Sequence, residues 1–390
     1  MPGIVVKPRS RIFHGHDWVY GSEIQKTWGD PNPGDVISLK DFKDRPLGSG
    51  IYNPKSQIVA RRISRRKQDL DLDFFNRRIQ RAYEYRQRLG YDESPQVYRL
   101  VWSESDGMPG VIVDRYGDQF VYQTLTLAMD QRQQLLAEAL TEIFDPACII
   151  ARNDSTIRAA EGMEVEREIV RGEPRQESIE IGGVRFQLDL WEGQKTGLYL
   201  DQLDNYRAVA ALAKDRRVLD CFCNQGGFAL HAAAAGAKEV TAIDSSETAI
   251  QAGTANAAES SVEISWVQAN VFDYLKEQEK QETTYDLIVL DPPSFARNRK
   301  AVRDAMRGYK EIHLRAMKML GPGGILSTFC CSHHVDREVF LEMIRAASVD
   351  AKRTLRFVDS YTQRADHPVI PTLPESEYLH GFSFEVMPSW

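Results

Sequence analysis

The chain has 390 residues, of which 42% are hydrophobic and 27% are charged, and its formal net charge at pH 7 is −7. This length favours two or three domains with substantial cores, in a chain of ordinary globular composition. The acidic balance argues against indiscriminate binding to nucleic acid.

The sequence also lacks the marks of exported and membrane-spanning chains. No apolar run approaches the ~20 residues that a membrane-spanning helix needs. The N-terminus Met1–Lys7 has no signal-peptide core, so a cytoplasmic location without a membrane partner is expected. The five cysteines have neither the pattern of a secreted disulfide framework nor the spacing of zinc ligands, so no metal is expected.

Residues 1–70 are predicted to form a small β-barrel. Short strand candidates at Val36–Leu39 and Ile58–Ala60 stand among Gly, Pro and Asp turns such as Gly29–Asp35. The aromatic stretch His16–Tyr20 belongs either to the core or, less often, to a surface that stacks on RNA bases.

A cluster of basic residues follows this barrel. It comprises Arg61, Arg62, Arg65, Arg66, Lys67, Arg77, Arg78 and Arg81. A charge run of this kind is usually a solvated face, and contact with nucleic acid is the alternative.

Residues 71–183 are predicted to be an α+β domain whose chemistry the sequence does not reveal. An amphipathic helix is expected over Leu70–Leu89. The other predicted elements are strands at Tyr98–Val101, Val111–Asp114, Phe120–Gln123 and Ile149–Arg152, and a helix at Gln131–Phe144. The polar, turn-rich stretch Gly172–Gly183 marks the boundary to the next domain.

Residues 184–390 alternate strands and helices, which is typical of an α/β domain with a parallel sheet. A strand at Val184–Leu188 and a helix that ends at Ala213 come first. The five strands predicted next are Val218–Phe222, Val240–Asp244, Trp266–Phe272, Asp286–Leu290 and Gly323–Cys331. Ligands bind beyond the carboxyl ends of such strands. Residues at those ends, namely Asp220, Asp244, Asn270, Asp291 and Cys331, are therefore expected to share one crevice.

The first of these strands leads into a glycine turn and a helix, which is half of a nucleotide-binding βαβ unit. Gly226 and Gly227 form the turn, and 24 residues after Asp220 the second strand ends in Asp244, where a carboxylate can bind ribose hydroxyls. The spaced glycines of a dinucleotide site are missing. A ligand with ribose but no phosphate fits better, and S-adenosylmethionine is the common one. The alternative is a bare Rossmann turn with a structural Asp244.

The stretch Asp291–Phe295 is the sharpest motif. Pro292 and Pro293 fix a rigid exit from a buried strand. An acid held there can hydrogen-bond a planar base edge, and Phe295 can stack on the base. The alternative is an ordinary strand end followed by a proline turn. A basic run follows that a polynucleotide would have to pass: Arg297, Arg299, Lys300, Arg303, Arg307 and Lys310.

The Cys330–Cys331 pair ends the fifth strand. A buried cysteine at such a position is usually a small apolar filler. A thiol that faces the crevice is a candidate nucleophile if its pKa falls below the usual value of about 8.5. His333 and His334 lie close in sequence and could assist.

Several motifs together resemble the RlmI family, which are class I methyltransferases that form 5-methylcytosine in large-subunit ribosomal RNA. They are Gly193–Gln202, Gly226–Phe228, Asp291–Phe295, Arg307–Lys310 and Thr328–Ser332. Further similar stretches extend the resemblance over nearly the whole chain, namely His16–Val19, Ser105–Gly110, Arg364–Val369 and Tyr378–Phe382.

The resemblance implies an RNA-binding PUA-like barrel (1–70), a middle α+β domain (71–183) and a Rossmann-like methyltransferase domain (184–390). It makes Cys331 the nucleophile and Asp291 the group that holds the cytosine edge. The implied S-adenosylmethionine pocket contains Asp220, Gly226, Gly227, Phe228, Asp244, Ser245, Asn270, Val271, Asp291, Gln194, Lys195 and Tyr199. The implied RNA contacts are Pro292, Pro293, Phe295, Arg307 and Lys310. The partner is then large-subunit ribosomal RNA, and a homodimer is left open.

The chain departs from the family pattern at three places. Cys223–Gln225 replaces an aromatic and a Thr, Asn270 replaces a frequent Asp, and His333 with His334 replaces small residues. The amide oxygen of Asn270 can still accept from an adenine amine. Two rival functions remain: a methyltransferase that acts on a base nitrogen without a cysteine nucleophile, and a non-catalytic RNA-binding protein.

Overall fold

The computed structural model describes residues 1–193, 197–295, 302–332 and 334–388. The chain divides into two compact units, each built from separated segments. Unit 1 contains Met1–Glu177, Leu188–Leu200 and Ala365–Ser376. Unit 2 contains Ser178–Gln187, Asp201–Arg364 and Glu377–Trp390.

Unit 1 begins with a mixed six-stranded sheet. Its strands are β1 (Gly3–Val6), β2 (Trp18–Val19), β3 (Ile24–Trp28), β4 (Val36–Asp41), β5 (Pro46–Tyr52) and β6 (Ala60–Ser64). The order is β2-β6-β5-β4-β1-β3, with β1 parallel to β4 and the other pairs antiparallel. A small apolar core that includes Ile4, Ile37 and Leu39 lies on one side.

The predicted strand at Val36–Leu39 is confirmed, whereas the one at Ile58–Ala60 is wrong in position. The amide of Asn53 donates to the carbonyl of Val59 at 2.9 Å, so these residues close a loop and the strand begins only at Ala60. The strand therefore runs into the basic cluster that the sequence assigned to a surface.

The rest of unit 1 is a five-stranded sheet covered by helices, as the α+β prediction requires. Its elements are α1 (Leu72–Arg88), β7 (Val97–Trp102), β8 (Val111–Tyr116), β9 (Gln119–Thr124), α2 (Leu127–Asp130), α3 (Gln133–Phe144), β10 (Cys148–Asn153) and β11 (Glu166–Gly172). The order is β11-β10-β9-β8-β7. Asp71 caps α1 by accepting from the amide of Phe74, as a helix N-cap does.

Two segments distant in sequence complete unit 1. Asp366 accepts from the amide of Arg99 at 2.9 Å, and its carbonyl accepts from the Arg86 guanidinium at 2.7 Å. The Arg152 guanidinium donates to the carbonyls of Leu190 and Gly193 at 2.9 and 2.8 Å. These two segments of unit 1 lie between segments of unit 2 in the sequence. The three contiguous domains that the sequence predicts therefore stay a prediction.

Unit 2 contains a two-stranded hairpin and a seven-stranded sheet among its described residues. The hairpin pairs β12 (Glu177–Ile181) with β13 (Val184–Leu188). The sheet strands are β14 (Arg217–Cys221), β15 (Glu239–Asp244), β16 (Ser265–Gln268), β17 (Tyr285–Leu290), β18 (Leu320–Cys330), β19 (Leu355–Thr362) and β20 (His380–Val386). The helices are α4 (Leu203–Ala210), α5 (Gly227–Ala234), α6 (Glu247–Glu259), α7 (Val271–Lys280), α8 (Val302–Lys318) and α9 (Arg337–Asp350).

The seven strands follow the order β16-β15-β14-β17-β18-β20-β19. The first five are parallel, and β20 runs antiparallel to both of its neighbours. The prediction of five parallel strands is confirmed. The predicted strand at Val184–Leu188 is confirmed as β13, which pairs with β12 in the hairpin. The strand expected over Trp266–Phe272 ends at Gln268, since Asn270 caps the helix that follows.

The core of unit 2 lies between this sheet and its helices. Leu287–Leu290 is buried throughout, as a strand covered on both faces requires. On α8 the buried residues include Tyr309, Ile312 and Ala316, which fall on one face of a helix. Across all described residues, none of the helices is both long and apolar enough to span a membrane.

Candidate active site

Three carboxylates gather beyond the carboxyl ends of neighbouring strands in unit 2. Asp220 lies in β14 and is fully buried, Asp244 ends β15, and Asp291 follows β17. Burial raises the pKa of Asp220 well above its usual range, and the charges of Asp291 and Asp244 raise it further, although the amide of Ala229 opposes this. The structure therefore brings together three of the five residues that were predicted to share a crevice.

Asp220 has one oxygen satisfied and one that is not. Its Oδ2 accepts from the amide of Ala229 in α5 at 2.9 Å. Its Oδ1 is buried and has no hydrogen-bond partner among the described residues. An unsatisfied buried acceptor costs about 1–3 kcal/mol, so this oxygen is a candidate to accept a hydrogen bond from a bound ligand.

The loop after β14 holds Asp244 in place. Phe222 and Asn224 adopt left-handed backbone conformations, with φ of 62° and 49°. Such conformations are costly for residues other than glycine and cluster at functional sites. The amide of Asn224 donates to Asp244 Oδ2, and the amide of Ser246 donates to Oδ1, each at 2.9 Å. Both carboxylate oxygens keep lone pairs for further donors.

The two glycines of this loop are needed for packing within the protein. A Cβ on Gly227 would lie 2.3 Å from the ring of Tyr206, and one on Gly226 would lie 2.5 Å from the ring of Trp266. Gly226 also has a φ of +89°. Packing against two aromatic rings thus requires glycine at both positions, and their predicted contact with the cofactor stays a prediction.

Three residues predicted to line a cofactor pocket make contacts within the protein, and their contact with the cofactor stays a prediction. The Phe228 ring is buried between Tyr206 and Phe329, with ring centroids 4.7 and 4.9 Å away. Val271 is buried in the core of unit 2. Asn270 Oδ1 caps α7 by accepting from the amide of Phe272 at 2.9 Å. The side chains of Phe228 and Val271 are thus core residues, whereas Ser245 beside Asp244 is exposed.

The two adjacent cysteines differ in burial. Cys330 is fully buried, and its thiol lies 3.7 Å from the hydroxyl of Tyr309. Burial raises the pKa of the Cys330 thiol. Cys331 is partly exposed, and its sulfur lies 3.9 Å from the carbonyl oxygen of Pro292. The partly exposed thiol is therefore the one beside the residue that follows Asp291, and the role of Cys331 as a nucleophile stays a prediction.

The residues after Asp291 present two surfaces. Pro292 is buried, whereas Pro293 and Ser294 are exposed. The Phe295 ring packs against Tyr309, Phe272 and Phe222, with centroid distances of 4.6, 5.9 and 6.2 Å. Phe295 is partly buried among these rings, and its predicted stacking on a base stays a prediction.

Comparisons with known proteins identify the kind of protein to which this site belongs. A model of S-adenosylmethionine-dependent methyltransferases matches residues 156–375, and a PUA-like domain model matches residues 6–65. Proteins named ribosomal RNA large subunit methyltransferase I, from Vibrio vulnificus YJ016 and Enterobacter sp. 638, are each 37% identical over 391 residues. The alignments cover 98% of this chain and 98% and 99% of those proteins.

The chain belongs to the ribosomal RNA large subunit methyltransferase I family. It is an S-adenosylmethionine-dependent methyltransferase with a PUA-like N-terminal domain. Among solved structures, the methyltransferase SMU.776 complexed with SAH has a TM-score of 0.87 at 21% identity, covering 99% of this chain and 100% of that one. A methyltransferase from Streptococcus mutans has a TM-score of 0.85, also at 21% identity, with the same coverage. At this identity the two structures show a shared fold.

The site of this methyltransferase fits the chemistry of its cofactor. S-adenosylmethionine carries an ammonium group, which matches the buried and unpartnered Oδ1 of Asp220. Its ribose hydroxyls match the carboxylate of Asp244, which is fixed by two amides. Gln194 and Lys195, predicted to line the pocket, lie outside the described residues. Tyr199 lies in unit 1, and its predicted contact with the cofactor stays a prediction.

Several basic residues that this methyltransferase was predicted to offer to RNA form ion pairs within the protein. Lys310 pairs with Asp350 at 2.7 Å, and Arg307 pairs with Asp304 at 3.3 Å. In unit 1, Arg61 pairs with Glu104 at 2.7 Å, and Trp18 donates to the same carboxylate. These contacts lie within the protein, and the predicted RNA contacts of Arg307 and Lys310 and the stacking alternative for His16–Tyr20 stay predictions. Arg297, Arg299, Lys300 and His333 lie outside the described residues.

Sequence reasoning gave no role to Gln202 of this methyltransferase. The Gln202 side chain is buried, and its Nε2 donates to Asp291 Oδ2 at 3.1 Å. Its place at the end of the motif Gly193–Gln202 was the available signal. Gln202 and Asp291 are 89 residues apart in sequence, so their contact becomes visible only in the folded structure.

Proposed function

We propose that this enzyme methylates carbon 5 of a cytosine in large-subunit ribosomal RNA, with Cys331 as a covalent nucleophile. The RNA class is the one in the names of its curated relatives. The observation that carries the chemistry is the partly exposed Cys331 thiol beside Pro292, next to a fully buried Cys330.

The proposed reaction needs a nucleophile because C5 of cytosine is itself unreactive. The Cys331 thiolate adds to C6 and forms an S–C6 bond, and the electron pair of the C5=C6 bond makes C5 nucleophilic. S-adenosylmethionine, when bound, would supply the methyl group that C5 takes up, and the electron pair of the broken S–CH₃ bond would stay on its sulfur. A base then removes the C5 proton, whose electron pair re-forms the C5=C6 bond and expels the Cys331 thiolate.

Asp291 would act on the same base from its polar edge. Its carboxyl group can hydrogen-bond the edge formed by N3 and the 4-amino group, where charge develops as the thiolate adds. The exposed Pro293 and Ser294 would bound the opening for the base. A cytosine within RNA structure must be unstacked to reach this position. The PUA-like barrel would contribute to RNA binding, as the sequence resemblance implies.

The alternative is methylation of a base nitrogen with Asp291–Phe295 alone. It requires no thiol, so the two functions differ at Cys331. Incubation of large-subunit RNA with the enzyme and labelled S-adenosylmethionine, followed by mass-spectrometric mapping, would identify the methylated atom. We expect 5-methylcytosine.

The matched control for Cys331 is its neighbour. Cys331→Ala should reduce methyl transfer at least about 1,000-fold while S-adenosylmethionine binding stays within about twofold, because only the covalent step is removed. Cys330→Ala should keep methyl transfer within about tenfold but lower the unfolding free energy by about 1 kcal/mol, because it leaves a small cavity. Near-normal methylation by Cys331→Ala would favour the nitrogen enzyme.

A further inference from the structure

Gln202 and Asn205 form a chain of hydrogen bonds that ends on Asp291. Gln202 Nε2 donates to Asp291 Oδ2 at 3.1 Å. Asn205 Nδ2 donates to Gln202 Oε1 at 2.7 Å and to the carbonyl oxygen of Thr362 at 3.1 Å. Both amide side chains are at least nine-tenths buried, so water is a poor substitute for these contacts.

The donor and acceptor roles in this series of hydrogen bonds follow from the Thr362 carbonyl. A backbone carbonyl can only accept, so the side chain of Asn205 must turn its NH₂ group toward Thr362. The same NH₂ group reaches Gln202, which must then offer its oxygen to Asn205 and its NH₂ group to Asp291. The carbonyl of Thr362 thereby determines which end of the Gln202 amide faces the carboxylate.

Asp201, which directly precedes Gln202, is itself held by two hydrogen bonds. The hydroxyl of Tyr378 donates to Asp201 Oδ2 at 2.6 Å, and the amide of Arg364 donates to the Asp201 carbonyl at 3.0 Å. These contacts limit movement of the backbone from which Gln202 reaches Asp291.

We propose that Gln202 is a positioning residue that holds Asp291 ionised and correctly oriented for the substrate base, and that Asn205 fixes the direction of the Gln202 amide. The role of Asp291 toward the base rests on the proposed function. The hydrogen bond matters because Asp291 lies near the carboxylate of Asp220, and like charges disfavour ionisation. A donor on Oδ2 offsets this repulsion and fixes one oxygen of the carboxylate.

The sharpest test exchanges the donor for an acceptor of the same shape. In Gln202→Glu, a carboxylate replaces the NH₂ group that faces Asp291. The titration midpoint of the Asp291 carboxyl carbon, followed by ¹³C NMR and assigned with Asp291→Asn, should move up by about one pH unit or more. The same change on the exposed face of α6, Gln251→Glu, should leave that midpoint unchanged.

Kinetics provide an independent measurement. Gln202→Leu should lower kcat about 10- to 100-fold while S-adenosylmethionine affinity stays within about twofold, because it removes one hydrogen bond to a charged group. The acid limb of the pH–kcat profile should shift upward in Gln202→Glu. Asn205→Ala should give a smaller loss, because the Gln202 amide is then free to rotate.

An unchanged Asp291 titration in Gln202→Glu, or a wild-type kcat in Gln202→Leu, would overturn the proposal. If either variant fails to fold, Asn205→Ala provides the test. A wild-type Asp291 titration midpoint and a wild-type kcat in Asn205→Ala would then overturn the proposal. The titration requires no substrate, so its outcome is separate from the proposed function. That function is tested by the position of the methyl group in the wild-type product.

Discussion

At the scale of single residues, the candidate site is a group of neighbouring carboxylates, which we expect to receive a cationic ligand. Asp220 carries a raised pKa and an unpartnered oxygen, and Asp244 and Asp291 stand nearby. The repulsion between these carboxylates is expected to lower the stability of the ligand-free protein, and a bound cation would reduce that repulsion. Stability and cofactor affinity are therefore expected to respond in opposite directions to a change at Asp220.

Asp220→Asn tests this opposition. The amide oxygen of the variant can still accept from Ala229, and its NH₂ group can donate toward the other carboxylates. We expect the ligand-free variant to be about 1 kcal/mol more stable at pH 7, and to bind S-adenosylmethionine at least about tenfold more weakly. The gain should fade as the pH falls through the raised pKa of Asp220, since the wild-type group is then neutral. Urea denaturation and calorimetry measure the two effects. Equal stability with unchanged affinity would contradict this role.

The residue scale also shows what a sequence can reveal about a site. Asp220, Asp244, Asp291 and Cys331 follow from strand ends and a proline motif, which are local features. The surroundings of Phe228, Phe295 and Lys310 depend on which rings and carboxylates fold against them. Their predicted ligand contacts could not be checked against that packing before the structure was known.

At the scale of elements, α8 packs against β18, the strand that ends at Cys330. Its buried His313 donates from Nδ1 to the carbonyl of Tyr309 and accepts at Nε2 from the hydroxyl of Thr328 in β18, at 2.6 and 2.7 Å. Burial lowers the pKa of His313 to about 4, and the Tyr309 carbonyl opposes that shift only in part. The neutral ring is thus built into the contact between α8 and β18.

His313 should make the protein sensitive to acid. The unfolded chain binds this proton near pH 6.5, whereas the folded state binds it near pH 4, so the unfolded state holds more protons between these values. The stability contributed by the neutral ring is present above pH 6.5 and falls by about 3 kcal/mol as the pH drops to 4. Urea denaturation from pH 4 to 7 should show this loss in the wild type and a smaller loss in His313→Gln. Parallel curves for the two proteins would refute it.

The elements themselves were predictable to different degrees. The five parallel strands and α1 follow from apolar runs and periodic patterns. The two tail strands were not predicted. In β20, Phe382, Phe384 and Val386 alternate with polar residues, which is a strand pattern, yet the structure buries the strand almost wholly. β19 is an edge strand with mostly exposed residues, so its apolar residues do not mark a buried face.

At the scale of the whole molecule, the chain alternates between its two units rather than filling one and then the other. The contact between Arg86 and the carbonyl of Asp366 joins residues 280 positions apart. A composition shift can suggest a boundary between domains, but it cannot show that a later segment returns to an earlier unit. Family resemblance gave the kind of protein, and the tertiary contacts gave the arrangement of its segments.

The central claim is that Cys331 bonds to C6 of a cytosine. The most direct measurement uses RNA in which the target is 5-fluorocytosine, because fluorine cannot leave as the C5 proton does and the adduct should persist. With S-adenosylmethionine present, mass spectrometry of the digested complex should find the methylated base attached to Cys331, and Cys331→Ala should form no adduct. Methylation of RNA by the wild type without an adduct, or an adduct that survives in Cys331→Ala, would contradict the account.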